Sequence, residues 1–305
     1  MDRVAAPLRS MGLGVEGLGQ RTLPPLTVIR GSGTLRSIDF EVPVPSAQVK
    51  SAILLAALQA DAPSRVVERV RTRANTEEML HDCGIDITSS DDDAGRTVWI
   101  RPGRPAPTNW HVPGDPSQAA FFVVLGLLSA DARLSIEDLY PGEERTGFLR
   151  VLERMGGEIT RHESNGTLRV EICSSSLVAT TVESREIPSV DEVPVLAVAA
   201  AAASGTTRFV SVGELRIKES DRFAGTIALV NSLGARARGE GDDLIVEGVG
   251  SATNFEPVDF AGALDHRMVM SAAVAASSGA GGQLRDVDTV SSSYPDFFAD
   301  LASLR

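Results

Sequence analysis

The sequence predicts an α/β protein built from a repeated βαβαββ unit, with alanine-rich helices inside and sheets outside. Three observations carry this reading. Alanine-rich helical segments recur at "SAQVKSAILLAAL" (46–58), "SQAAFFVVLGLLSA" (117–130), "VDEVPVLAVAAAAA" (190–203) and "LDHRMVMSAAVAAS" (264–277), with starts 71 to 74 residues apart. A second helix in each unit ends in an apolar residue followed by glycine, at Gly12, Gly84, Gly156 and Gly234, in steps of 72, 72 and 78. After each such glycine comes a strand, a polar turn and another strand, as in "GGEITRHESNGTLRVEI". Self-similarity at a fixed period marks a repeat architecture. Glycine suits the position after a helix, where the left-handed conformation is cheap only without a Cβ. A helix that is apolar nearly all round is a buried one, so these helices are expected inside, with the sheets outside.

The chain of 305 residues is long enough for one large domain or two ordinary ones. Hydrophobic content of 43% and charged content of 23% are those of a soluble globular protein. A net charge of −12 argues against a nucleic-acid or anionic-membrane surface, which recruits an excess of Lys and Arg. It leaves room for a local cationic pocket that holds a small anion. Cys83 and Cys173 lie far apart, so neither a disulfide framework nor a zinc site is expected, and a reducing, cytoplasmic setting is. The longest apolar run, Val193 to Ala203, is too short to span a bilayer.

The first residues open at once with a helical period, since Val4, Leu8 and Met11 share a face. The chain is therefore expected to begin inside a folded unit. The chain is expected to hold about three full units plus a remnant at the front that keeps only a second helix and the hairpin "GLGVEGLGQRTLPPLTVIRG".

Function is sought at the joints, where the units differ. At "VPSAQVKSA", Ser46 and Gln48 open a helix, as a plain N-cap or as donors to a phosphate or carboxylate. At "RVRTRANTEEML", Arg71 and Arg73 precede a helix expected to be capped by Asn75 or Thr76; Arg73 reads equally as an anion ligand or a solvated charge. At "VPGDPSQAAFF" the Pro-Gly-Asp-Pro run reads mainly as a tight structural joint. At "IPSVDEVPVLA", Asp191 and Glu192 precede a wholly apolar helix, either complementing its dipole or offering a general base. At "ELRIKESDR", six of nine residues are charged. Strand-like alternation would point Arg216, Lys218 and Ser220 one way and Ile217, Glu219 and Asp221 the other. Two cations on one side would make an anion site; a solvated ion-pair ladder is the alternative. At "LDHRMVM", His266 and Arg267 open another buried helix, and Arg267 suits a bidentate carboxylate or phosphate. Helix mouths rich in donors and acids point to an enzyme for small, multiply anionic substrates.

These residues also carry a resemblance. "SAQVKSAILLAAL", "TEEML", "VPGDPSQAAFF", "VDEVPVLAVAAAAASGTT", "ELRIKESDR", "DHRMVM" and "SYPDFF", in this order and spacing, resemble the 5-enolpyruvylshikimate-3-phosphate synthases (3-phosphoshikimate 1-carboxyvinyltransferases) along essentially the whole chain. The resemblance implies two domains of three βαβαββ units each about a pseudo-threefold axis, with substrates bound in a cleft that closes between them. On it, residues 1–113 are an incomplete first domain, one full unit plus a remnant of another, and residues 114–305 the second domain with the remaining units. It implies transfer of the enolpyruvyl group of phosphoenolpyruvate to the 5-hydroxyl of shikimate 3-phosphate, with release of phosphate and without metal or organic cofactor. By the same resemblance, Ser46, Ala47 and Gln48 hold shikimate 3-phosphate and Arg73 contacts its phosphate. Asp191 meets the shikimate hydroxyls and acts as base, Lys218 touches shikimate 3-phosphate, and Glu219 protonates the enol methylene. Arg222 and Arg267 clamp the phosphoenolpyruvate carboxylate, with His266 beside them.

The sequence departs from the family pattern in places. Thr72 stands for Ser and Ala74-Asn75 for Asp-His, and Ser292 lies where many members place a Lys. The family carries a further stretch before the position of Met1, with a Lys-Ser pair, an Arg and a Gly-rich loop that bind the substrates. The chain is thus read as an N-terminally truncated synthase expected to turn over negligibly alone. The alternatives are a non-catalytic ligand- or partner-binding pseudoenzyme, or the C-terminal part of a split synthase completed by a separate N-terminal chain.

Overall fold

A computed structural model describes residues 1–19, 22–31 and 33–304. Its contacts divide the chain into two compact units, Met1–His111 and Val112–Arg305. In the first unit the order is α1 (Asp2–Ser10), β1 (Leu13–Leu18), β2 (Leu23–Arg30), β3 (Asp39–Val42), α2 (Ala47–Ala57), β4 (Ser64–Glu68), α3 (Asn75–Asp82), β5 (Ile87–Asp92) and β6 (Gly95–Ile100). In the second it is α4 (Pro116–Leu128), β7 (Arg133–Leu139), α5 (Glu143–Arg154), β8 (Glu158–Ser164), β9 (Thr167–Cys173), β10 (Thr181–Glu183), α6 (Val193–Ala202) and β11 (Thr206–Val210). There follow α7 (Arg222–Ser232), β12 (Arg236–Glu240), β13 (Asp243–Glu247), β14 (Val258–Ala261), α8 (His266–Ser278), β15 (Gly282–Arg285) and α9 (Phe297–Ser303).

The repeat is visible in the sheets. β3-β4-β6-β5 and β10-β11-β13-β12 have the same order, with the first two strands parallel and the rest antiparallel. The sheet β7-β9-β8 becomes the same once the parallel bridge Gly114↔Leu139 supplies its first strand. A fourth unit begins as β14, α8 and β15, then continues into α9. At the front, α1 leads into the expected hairpin, the antiparallel pair β1–β2; Gln20 and Arg21, between these strands in sequence, lie outside the described residues. Gly12, Gly84, Gly156 and Gly234 follow α1, α3, α5 and α7 with φ of +100°, +78°, +94° and +81°. Each turns the chain left-handed, as a helix-ending glycine should.

Local sequence explains where the helices start. Ser46, Asp115, Asp221 and Asp265 each accept a hydrogen bond from a backbone N–H in the first turn of α2, α4, α7 and α8. Such caps are worth about 1 kcal/mol each. In the second unit α4, α6 and α8 pack against one another, and every residue of α6 is buried. A fully buried Val or Leu there contributes about 1.5–3 kcal/mol. The expectation of burial all round holds for these helices but not for α2. There Val49, Lys50, Ile53, Leu54 and Ala57 are buried, while Gln48 and Leu55 are exposed. The neighbours of α2 in its own unit, α1, β4 and α3, cover one side of it. α3 differs too. Neither Asn75 nor Thr76 caps it, since the helix already includes Asn75. The Thr76 hydroxyl is instead 2.6 Å from that of Ser51.

Candidate active site

Three helix mouths in the second unit gather opposed charge. At the first, Asp115 caps α4 and pairs with the buried guanidinium of Arg145. Burial alone would lower the Arg145 value, but Asp115, Glu192 and Asp191 outweigh it and raise it. At the second, Glu192 ends the joint before α6 and is buried. Its carboxylate accepts hydrogen bonds from the hydroxyls of Ser117, on α4, and Ser189. At the third, Asp265 caps α8 by accepting from the Arg267 N–H at 3.0 Å.

Arg222 joins two of these mouths. It opens α7 and is 1% exposed. Its Nε and Nη2 donate to the two carboxylate oxygens of Asp265 at 2.8 and 3.2 Å. Its Nη1 donates to Asp191 at 2.9 Å. Its Nη2 also pairs with Glu219, whose side chain is 60% exposed. Lys218 completes the group. Its ammonium lies 3.0 Å from the Ser189 carbonyl, 3.0 Å from Glu214 and 3.6 Å from Asp191. Arg267 is buried and donates to the Asp191 carbonyl at 3.4 Å.

The ionisation of this cluster follows from its contacts. Burial would raise the Asp265 carboxyl, but the Arg222 guanidinium, the Ser220 hydroxyl and the Arg267 N–H outweigh it. Asp265 is therefore held below the usual carboxylate range. Burial, aided by Arg267, pushes His266 below its ordinary value, so its imidazole is neutral at pH 7. The backbone is strained beside two mouths. Val190 (φ +50°) precedes Asp191, and Ala263 and Leu264 (φ +50° and +60°) precede Asp265. Left-handed non-glycine residues of this kind cost about 1–3 kcal/mol each and persist where the surroundings over-determine them.

The structure thus gathers Asp191, Lys218, Glu219, Arg222, His266 and Arg267 into one cluster. It changes the expected form of "ELRIKESDR". Gly213–Ile217 is a 3-10 turn rather than a strand, so side chains do not alternate. Arg216 leaves Lys218 to stack on the Phe223 ring at 3.7 Å and to bond the Gly241 carbonyl at 3.1 Å. Asp221 is spent on capping α7. The positive field expected at the mouths is also moderated, because Arg222 and Lys218 each meet carboxylates. Sequence reasoning assigned no role to Asp265, Ser117 or Arg145. Asp265 carried a usable signal, an acid in cap position directly before an apolar helix.

In the first unit, Ser46 caps α2. Its Oγ accepts from the Val49 N–H at 3.4 Å and donates to Gln48 Oε1 at 3.2 Å. Ala47 follows half-buried and Gln48 exposed, so the mouth of α2 presents hydroxyl, amide and backbone N–H donors. Arg73 lies half-buried on the joint between β4 and α3.

A sequence model of the family described as EPSP synthase (3-phosphoshikimate 1-carboxyvinyltransferase) matches residues 1–301. The 3-phosphoshikimate 1-carboxyvinyltransferase of Streptococcus mutans is 38% identical over 310 residues, which are 99% of this chain and 70% of that protein. The enzyme of the same name from Streptococcus uberis is 37% identical over 312 residues, 100% of this chain and 71% of its own. Among solved structures, EPSP synthase from Acinetobacter baumannii superposes with a TM-score of 0.87 at 32% identity, covering 100% of this chain and 70% of that one. The enolpyruvyl transferase NikO from Streptomyces tendae shares the fold alone, with a TM-score of 0.77 at 18% identity. The repeated units and their charged helix mouths therefore define an enolpyruvyl transferase fold. Within it, the chain belongs to the EPSP synthase family.

Proposed function

We propose that this chain carries the machinery that moves the enolpyruvyl group of phosphoenolpyruvate to the 5-hydroxyl of shikimate 3-phosphate. The observation that carries the reading is the Arg222 cluster, a buried guanidinium shared among Asp265, Asp191 and Glu219 beside Lys218 and Arg267. Addition joins the 5-oxygen to C2 of phosphoenolpyruvate while C3 takes a proton. Elimination then breaks the C2–O bond to phosphate and removes a proton from C3, restoring the methylene. Such chemistry needs a base, an acid and cations where charge develops. Asp191 serves as base toward the 5-hydroxyl, and Lys218 steadies shikimate 3-phosphate. Arg222 and Arg267 take the carboxylate of phosphoenolpyruvate, with neutral His266 beside them. The incoming carboxylate displaces Glu219, the most exposed of the three acids on Arg222. Glu219 is thereby released to work as the acid at C3. Ser46, Ala47 and Gln48 hold shikimate 3-phosphate, Ser46 through its phosphate and Gln48 over the ring, and Arg73 contacts the phosphate. A cytoplasmic setting belongs to the same reading, supported by two free cysteines. Among the described residues no helix is long and apolar enough to cross a membrane.

The test is a chimera in which residues 1–301 replace the matching part of the Streptococcus mutans enzyme. It is expected to release phosphate from phosphoenolpyruvate only when shikimate 3-phosphate is present. Glu219→Gln should lower kcat by about 10²–10⁴-fold, the usual loss for an acid–base group, and leave shikimate 3-phosphate affinity unchanged. A chimera without this release, or one indifferent to Glu219→Gln, contradicts the reading.

A further inference from the structure

One lysine of the first unit has no contact with water. Lys50, one turn into α2, is 0% exposed. Its ammonium lies 2.7 Å from Glu68, the last residue of β4, and 2.7 Å from Glu77, in the first turn of α3. Glu68 in turn accepts the hydroxyl of Thr72. Beside this group, Ser51 of α2 and Thr76 of α3 join through their hydroxyls at 2.6 Å. The Lys50 N–H donates to the Ser46 carbonyl at 3.2 Å, which places the ammonium's own backbone in the helix mouth.

Stability alone does not account for this arrangement. A buried ion pair is often no better than apolar residues of the same volume, and its best-attested use is to fix register. The surroundings here are apolar, with Val49, Ile53 and Leu54 buried on the same helix. One cation faces two acids, and burial pushes the Glu77 carboxyl up. What the network does is bracket a short joint. Thr72 is tied on one side of Arg73, and Thr76 and Glu77 on the other.

We propose that Lys50 is a positioning residue, locking the joint that carries Arg73 onto the helix whose mouth carries Ser46 and Gln48. The two parts of the phosphate-holding set are then presented as one rigid piece. This rests on the reading above that Ser46, Gln48 and Arg73 hold shikimate 3-phosphate, Ser46 and Arg73 through its phosphate. Preorganised side chains lose less freedom on binding, which is how a residue that never touches the ligand governs affinity.

Lys50→Met alone would leave two buried carboxylates facing each other. The test therefore combines Lys50→Met with Glu68→Gln and Glu77→Gln, an uncharged set of similar volume, and separately makes Thr72→Val, which removes a single tie. Calorimetric titration of the whole chain with shikimate 3-phosphate gives affinity, and the heteronuclear NOE of the Arg73 Nε–Hε group gives its order. The triple variant should bind about tenfold more weakly, and Thr72→Val about threefold, within the range of coupling energies for contacting residues. Both should lower the Arg73 NOE, a signal that a merely structural role would not move. Should the triple variant not fold, Thr72→Val still decides. Unchanged affinity and NOE in Thr72→Val, or in a folded triple variant, overturns the proposal. Ser46→Ala and Arg73→Met separate it from the reading beneath it. If these two leave binding intact, the phosphate assignment itself fails. If they weaken binding while the network variants do not, only the role of Lys50 fails.

Discussion

Arg222 meets three carboxylates with one guanidinium, and they differ in what holds them there. Asp265 is fully buried and bidentate, Asp191 is half-buried, and Glu219 is exposed. Asp265 is thus the fixed counter-charge, and Glu219 is the one the proposed function has a substrate carboxylate displace. Asp265→Asn should destabilise the fold at pH 7 by about 3 kcal/mol, the low end for breaking a buried pair because Asp191 and Glu219 remain. The pH dependence has a definite sign. Asp265 is held below its ordinary value, so its contribution is present above the unfolded value of about 3.9 and lost as pH falls through the folded one. His266, also lowered, favours the fold above about 6.5, because the unfolded chain takes up its proton first as pH falls. Urea unfolding of parent and Asp265→Asn at pH 7 and near pH 3 should show a gap that narrows in acid. An equal gap at both pH values would rule out Asp265 as the anchor. The charged cluster was legible in sequence because opposed charges at a joint between buried runs stand out. Lys50 was not, and Asp265 offered only the signal of a helix cap. A lysine one turn into an apolar helix ordinarily reaches solvent, and a cap-position Asp ordinarily serves only its own helix.

At the scale of elements, the repeat governs. The alanine-rich helices and the glycines that end the second helices were readable, because both recur at one period and each has a local physical cause. Small side chains let α4, α6 and α8 lie against one another with every residue of α6 buried. Ala199, at the centre of α6 and 0% exposed, has no room to grow. Ala199→Leu should cost about 1–3 kcal/mol through overpacking, seen as a lower urea midpoint. An unchanged midpoint would mean that the helices are less tightly packed than described. The joint 213–221 was harder to read. Its alternating charges suit a strand, but three of those residues are claimed by partners that alternation does not foresee. Arg216 goes to Phe223, Lys218 to the Ser189 carbonyl, and Asp221 to the first turn of α7. Gly213–Ile217 is a 3-10 turn, and two residues of the joint hold groups far along the chain that periodicity does not show, Arg216 the Gly241 carbonyl and Lys218 the Ser189 carbonyl. α2 shows the same limit. Its composition matches α4 and α6, yet its burial is set by the number of neighbours on each side.

At the scale of the molecule, a protein of net charge −12 gathers cations at the mouths of buried helices. That is the pattern of an enzyme that admits small anions and repels large ones. The family assignment says which anions to try, and the cluster says which side chains to change. The most direct measurement is a calorimetric titration of the purified chain with shikimate 3-phosphate, repeated with Lys218→Met. The account predicts saturable binding that weakens about tenfold or more when this ammonium is removed, the effect of losing one charge-assisted hydrogen bond of about 1.5–3 kcal/mol. Binding that is absent in the parent chain, or equal in Lys218→Met, would contradict it.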